Sequence, residues 1–259
     1  MVELLFWPAL LAYGEAAVAF VGEARRPGLA GRFATWGVRL GWLAQTALLV
    51  VQASRSDGFP WTSWSGALNL FVWLVVGAYL IWGCRARFRL LGLAVIPPAA
   101  ALLALAYAGG GTRAAHGADY GSLFLALHVG LVLAAFAGFT LAAALAALYL
   151  WQERRLKRRA SGILRVRAPS LSALDELVAR TIAVALPILT LGIGVGIGRL
   201  VQSGGGFDAV VAVTLVTWAA YGGFLLLRYG AGWRGRRSAS LALAALTLVV
   251  ATLPIAHFS

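Results

Sequence analysis

The sequence predicts an all-α integral membrane protein, a helical bundle of eight transmembrane helices with both termini outside the cytoplasm. Hydrophobic residues make up 61% of the 259 residues and charged residues only 12%, whereas soluble domains carry about 25% charged residues. Eight apolar stretches reach or approach the roughly 20 helical residues that a hydrocarbon core requires. Basic residues alternate between the intervening loops, and that alternation predicts the orientation.

The apolar stretches follow one another along the whole chain, so we expect a single transmembrane domain over residues 1–259. The fifth stretch is the longest and must project beyond the bilayer, since a helix rises about 1.5 Å per residue. The N-terminus lacks the basic region of a signal peptide, so the first stretch is expected to remain as a helix. The expected spans lie near residues 3–22, 36–53, 66–83, 90–108, 121–151, 180–201, 208–229 and 239–256.

The basic residues set the predicted orientation. Of the 22 Lys and Arg residues, all but Arg55, Arg113 and Arg199 fall on one side of the eight-span topology. Basic loops stay in the cytoplasm, which places both termini outside it. We expect a multi-pass protein of a bacterial-type cytoplasmic (inner) membrane. The net charge of +13 is explained by these topology signals and by contact with anionic lipid. We therefore expect no nucleic-acid partner, and the basic inner loop 152–180 predicts contact with lipid or with a soluble protein.

One ionisable residue falls within the first span. Glu15 needs a partner or a function there, because a charge in hydrocarbon is costly. Gln45 in the second span and Asn69 in the third are its candidate partners. We interpret Glu15 as a hydrogen-bonded packing group and not as a catalytic residue.

The sixth span contains two overlapping G-x-x-x-G patterns, one formed by Gly192 with Gly196 and the other by Gly194 with Gly198. Glycines at this spacing allow another backbone to approach closely. Helix packing explains the patterns, and room for a flat cofactor is the alternative.

Two of the three histidines lie toward the outer face of the predicted topology. His128 is about 10 Å along the fifth span from its outer end, and His257 follows the last span. Each alone could be a hydrogen-bonded or interfacial histidine. Together they could supply the two axial nitrogens of a haem iron. His116, in a glycine-rich outer loop, is a third candidate.

Aromatic residues also gather on the outer side, where Phe59, Trp61 and Trp64 precede the third span. An interfacial aromatic belt explains them, and a porphyrin would favour the same surroundings. Arg113 and Arg199 depart from the charge rule and could pair with carboxylates there, including haem propionates.

Three passages of the second half belong together: 127–131 with 136–139, 169–177 with 186–192, and Asp208 through Trp218 and Tyr221 to 232–235 and His257. They are similar to the CcsA/HemX-type cytochrome c assembly family. The resemblance covers roughly residues 60–259 and is strongest after residue 120. In this resemblance His128 and His257 correspond to the family's outer haem-ligating histidines, which implies that they bind haem iron.

The chain departs from the family's tryptophan-rich outer segment, which ends in Trp-Asp and continues Pro-Lys-Glu-Thr-Trp. Phe207-Asp208 stands at the Trp-Asp position, because Trp218 lies at the required distance beyond it. Glycines 204–206 replace the aromatic residues, and Leu226 replaces a histidine of the family's synthetases. These departures favour the shorter HemX-like branch, whose members bind or handle haem.

We therefore expect a non-enzymatic membrane protein that binds or handles non-covalent haem, as haem b, in cytochrome c assembly or in control of haem biosynthesis. The alternatives are a subunit of a cytochrome c haem-delivery or synthetase complex, and a haem-free scaffold. The expected partners are lipid and, at the inner loop, a cytochrome c assembly protein or a soluble haem-biosynthesis enzyme. The predicted iron ligands are His128 and His257, and the other predicted cofactor-binding residues are Asp208, Trp61, Trp64, Arg199, Gly194, Gly198 and Trp218.

Overall fold

The computed structural model describes residues 2–25, 28–56, 60–61, 63–83, 88–113, 123–158, 169–203 and 209–258. Within these ranges the chain forms eight α-helices and no strand, which confirms the all-α prediction for this part of the molecule. The helices are α1 (Val2–Arg25), α2 (Leu29–Ser54), α3 (Trp64–Gly83), α4 (Arg89–Ala108), α5 (Leu123–Lys157), α6 (Leu171–Ser203), α7 (Ala209–Tyr229) and α8 (Arg236–Phe258).

Six helices are long and apolar enough to cross a membrane, namely α1, α3, α4, α5, α6 and α7. The described part of α8 and the whole of α2 fall outside this group. α2 carries Arg32, Arg39, Gln45 and Gln52 along its length, and these polar residues lower its apolar character. Arg39 lies well inside α2.

Two helices begin earlier than the apolar stretches predict, because polar groups cap them. α2 begins at Leu29, where the Oε2 atom of Glu23 accepts hydrogen bonds from the N–H groups of Gly28 (2.8 Å) and Gly31 (2.9 Å). α6 begins at Leu171, and the hydroxyl of Ser170 accepts a bond from the N–H of Ala173 (3.2 Å). Such caps satisfy N–H groups that a helix start leaves unpaired.

The helices form two compact units, with α1 to α4 in the first and α5 to α8 in the second. In the first unit, α1 and α2 pack closely through glycines of α2. A Cβ atom on Gly41 would lie 2.6 Å from the ring of Tyr13, and one on Gly37 would lie 3.3 Å from the Cβ atom of Ala16. The absence of side chains at these two positions allows the close helix contact.

A buried chain of amide side chains links three helices of the first unit. The hydroxyl of Tyr13 donates to Gln45 (2.8 Å), whose amide donates to the Oδ1 atom of Asn69 (3.0 Å). Asn69 donates to Gln52 (3.4 Å), and Gln52 donates to the carbonyls of Gly111 (3.0 Å) and Arg113 (2.8 Å). The partner of Gln45 is thus Tyr13, while Glu15, which was expected in this role, lies on the exposed face of α1.

Candidate functional site

The imidazole of His128 is half-buried in the second unit, between α5 and α6. Its Nδ1 atom lies 2.8 Å from the carbonyl oxygen of Gly192. A carbonyl can only accept a hydrogen bond, so Nδ1 carries a hydrogen, and in the neutral imidazole the lone pair is then on Nε2. No hydrogen bond to Nε2 occurs among the described residues. Metal-ligating histidines have this arrangement, with one nitrogen held by an acceptor and the other available.

Gly196 of α6 lies against this imidazole, and Gly192 of the same helix lies against the next turn of α5. A Cβ atom on Gly196 would come within 2.6 Å of the Cε1 atom and 2.8 Å of the Nδ1 atom of His128. A Cβ atom on Gly192 would lie 3.1 Å from the side chain of Val132. The first G-x-x-x-G pair therefore allows α5 to approach α6, and a side chain at position 196 would displace the ring.

The second glycine pair, predicted to bind cofactor, lies elsewhere on α6. Gly194 and Gly198 are exposed, and a Cβ atom on either would meet open space within 4 Å. The structure therefore brings Gly192 and Gly196 to His128, and it leaves Gly194 and Gly198 on a free surface of the same helix.

The three predicted aromatic residues have different surroundings. Trp61 and Trp64 belong to the first unit. Trp61 is half-buried. The ring of Trp64 lies against Gly109, and a Cβ atom added to Gly109 would be 2.7 Å from that ring. Trp218 belongs to the second unit, and its indole N–H donates to the hydroxyl of Thr190 (2.9 Å). Trp218 therefore joins α7 to α6, the helix that holds the imidazole of His128.

Several predicted positions lie outside the described residues. Asp208 and His116 are among them, and so are the side chains of Arg199 and His257. The backbone of α8 includes position 257. The second iron ligand, the orienting carboxylate and the propionate partner all stay predictions.

A buried ionic cluster in the second unit was not expected from the sequence. Arg228 of α7 donates to Asp175 (2.6 Å) and to Glu176 (3.3 Å), both near the start of α6. Asp175 also accepts from the N–H of Gly235 (2.9 Å), a residue with a φ of 67°. The cluster thus joins α6, α7 and the turn before α8. Two of the passages that carried the family resemblance contain these residues, which was the only signal of their importance.

The family model described as Cytochrome C assembly protein matches residues 61–258. The chain belongs to this family. The resemblance that the sequence suggested is confirmed, and the matched region runs from the residues before α3 to the end of α8. α1 and α2 precede it.

Relatives of this cytochrome c assembly family protein include one named HemX and others named CcsA. Protein HemX of Brevibacillus brevis is 31% identical over 196 residues, which cover 73% of this chain and 71% of that protein. Cytochrome c biogenesis protein CcsA of Gloeothece citriformis (strain PCC 7424) is 26% identical over 266 residues, covering 83% and 81%. CcsA of Prochlorococcus marinus (strain MIT 9303) is 28% identical over 157 residues, covering 50% and 49%. No solved structure matches the chain.

Family membership and the six long apolar helices together make this a multi-pass membrane protein with lipid-contacting helices. Large apolar side chains are exposed on these helices, among them Ile81, Leu105, Val184 and Leu226. In water such surfaces would be unfavourable, and in a bilayer they are the expected contact with acyl chains.

Proposed function

We propose that this cytochrome c assembly family protein is a non-enzymatic, haem-handling membrane protein of the HemX-like branch. It would serve cytochrome c biogenesis or the control of haem biosynthesis. The observation that carries the proposal is the His128 imidazole, whose Nδ1 atom is held by Gly192 at 2.8 Å. Histidine is a common axial ligand of haem iron, and the Nε2 atom, which has no hydrogen bond to another described residue, fits that role.

His257 is the second ligand in this proposal, which makes the site bis-histidine with non-covalent haem b. Asp208 would orient an imidazole and Arg199 would pair with a propionate. Bound haem would supply an iron that changes oxidation state. The residues of the chain would hold and orient the haem. His128 would do so through its fixed tautomer, and Gly196 has no side chain that would displace the imidazole of His128.

Haem binding can be tested with substitutions on either side of α6. Gly196→Ala is expected to displace the imidazole and weaken haem affinity by roughly 10–100-fold, as loss of an orienting contact does at other metal sites. Gly194→Ala, which meets open space, is the matched control and should bind haem as the parent does. His128→Ala and His257→Ala should each lose the spectrum of the bis-histidine site. Absorption spectra after haem reconstitution, oxidised and reduced, measure all four.

Unaltered haem binding in both histidine variants would overturn the site. Loss in only one of them would mean that the other axial position is open or is filled by another residue, such as His116. If the Gly194 and Gly196 substitutions had equal effects on haem affinity, Gly196 would have no special role in positioning His128.

The proposed topology is a single transmembrane domain over residues 1–259 with eight spans, in a bacterial cytoplasmic membrane. Both termini then lie outside the cytoplasm, since the basic residues cluster in alternate loops. Alkaline phosphatase fused after Ser259 is expected to be active, whereas the same enzyme fused after Arg158 in the inner loop should be inactive. An active fusion at the inner loop combined with an inactive one at the C-terminus would reverse the orientation.

A second candidate function, a haem-free membrane scaffold, is favoured by the basic end of α5. Arg154, Lys157 and Arg158 are exposed there, and the guanidinium of Arg155 lies 4.9 Å from the ring of Trp151. This surface could hold a soluble haem-biosynthesis enzyme or a cytochrome c assembly partner as well as anionic lipid. Purified protein that takes up no haem but retains such a partner would favour the scaffold.

A further inference from the structure

The exposed side of α1 carries a regular apolar seam. Its members recur at alternating intervals of three and four residues, the repeat of helices that pack along their length as a left-handed pair. Gly14, in the middle of the seam, meets open space within 4 Å of its missing Cβ atom. The five large members are between 40% and 74% exposed. They are Leu4, Trp7, Leu11, Val18 and Val21.

A second seam with the same repeat runs along α2. Its six large members are between 58% and 71% exposed. Arg39 lies directly beside this seam, with its guanidinium 5.0 Å from the ring of Trp36. The large members are Leu29, Phe33, Trp36, Leu40, Leu43 and Val50.

One exposed acid and one base lie beside these seams at the same level of the first unit. Tyr13 of α1 contacts Gly41 of α2, and Ala16 contacts Gly37, so the two helices are antiparallel. Glu15 on α1 and Arg39 on α2 are therefore level with each other. Neither forms an ion pair with another of the described residues. Two opposite charges at mid-helix, each flanked by exposed apolar side chains, need a counter-charge in a bilayer.

We propose that α1 and α2 form the interface of a homodimer. A two-fold axis normal to the membrane would set α1 of each copy against α2 of the other, with the two seams interlocked. Glu15 of one copy then pairs with Arg39 of the second, and Arg39 of the first with Glu15 of the second. Such an interface is self-complementary, as a two-fold dimer requires.

The charges select this arrangement among the alternatives. A second copy presents a base at the level of Glu15 and an acid at the level of Arg39, which an unrelated apolar helix would not do. Packing α1 against α1 of the other copy would instead bring two Glu15 carboxylates together. The interface precedes residues 61–258, the part matched by the family model. The proposal is independent of haem binding and uses only the part of the proposed topology in which α1 and α2 both span the bilayer.

Charge reversal tests the pairing. Self-association would be measured by energy transfer between two fluorescently labelled populations of the full chain in lipid nanodiscs or vesicles. Glu15→Arg and Arg39→Glu are each expected to weaken dimerisation by about tenfold or more. The two changes combined in one chain should restore it. Arg32→Glu, an exposed arginine of the same helix nearer its start, is the control and should leave dimerisation unchanged.

Cysteine crosslinking tests the geometry without reversing a charge. In a Cys84→Ser background, copies carrying Glu15→Cys would be mixed with copies carrying Arg39→Cys. Oxidation is expected to give a covalent dimer, since disulfides form between Cα atoms within roughly 7 Å. Glu15→Cys mixed with Val50→Cys is the control: Val50 lies about 16 Å further along α2 and should not crosslink.

A monomeric parent protein would overturn the proposal, whether it is alone or covered by a different polypeptide. So would a dimer that survives both single charge reversals, or one that forms no Glu15-to-Arg39 crosslink while its helical content is unchanged.

Discussion

Replacing Arg228 with methionine is expected to lower the free energy of unfolding by about 3–5 kcal/mol, because removing one partner leaves a buried charge uncompensated. The side chain of Arg228 is only 4% exposed and that of Asp175 only 11%. Their 2.6 Å contact lies where α6, α7 and the turn before α8 meet. Unfolding of the purified protein by increasing mole fractions of SDS, followed by circular dichroism, measures the change.

The matched control is Arg180→Met, which removes the base of an exposed pair with Glu176 one helical turn away (2.8 Å). Exposed pairs contribute about 0–1 kcal/mol. A double variant with Asp175→Leu and Arg228→Met should recover much of the lost stability, since it removes both buried charges together. Similar losses for Arg228→Met and Arg180→Met would show that burial of the cluster is unimportant.

Replacing Gly111 with alanine is expected to destabilise the first unit through two effects. The new methyl group would meet the backbone carbonyl of Ser65 and the backbone nitrogen of Gly66, neither of which can rotate away. Overpacking of this kind costs about 1–3 kcal/mol. The carbonyl of Gly111 also accepts the amides of Gln52 and Asn69, and its displacement would leave buried donors unpaired at about 1–3 kcal/mol.

The control for this substitution is Gly222→Ala in α7, where the added methyl group meets open space. It should stabilise the helix by about 0.5–1 kcal/mol, because alanine has less backbone freedom to lose. SDS unfolding of both variants gives the comparison. Equal stability of the Gly111 variant and its parent would mean that the turn can move without breaking the amide chain.

Apolar periodicity predicted the helices, but it could not predict where two of them begin. α2 and α6 start within polar sequence, where Glu23 and Ser170 supply the hydrogen bonds that an apolar stretch does not encode. Their bounds depend on side-chain contacts that hydropathy does not register.

The candidate site was predictable in its residue types and not in its pairings. His128 could be singled out because histidine is rare in this chain, but the two glycine repeats of α6 have the same spacing. Only the packing of α5 on α6 distinguishes Gly196, which contacts the imidazole, from Gly194, which does not. The partner of Gln45 was missed because the phenol of Tyr13 lies among apolar neighbours and was counted with them.

The amide chain of the first unit also has a consequence for the permeability of the bilayer. Its links from Gln45 through Asn69 to Gln52 are carboxamides, and carboxamides neither gain nor lose a proton at physiological pH. A hydrogen-bonded path built from carboxylates or imidazoles could pass protons from one member to the next. The amide chain holds the turn at Gly111 and Arg113 against the bundle without providing a path for protons. The polar interior of the first unit therefore need not make the membrane permeable to protons.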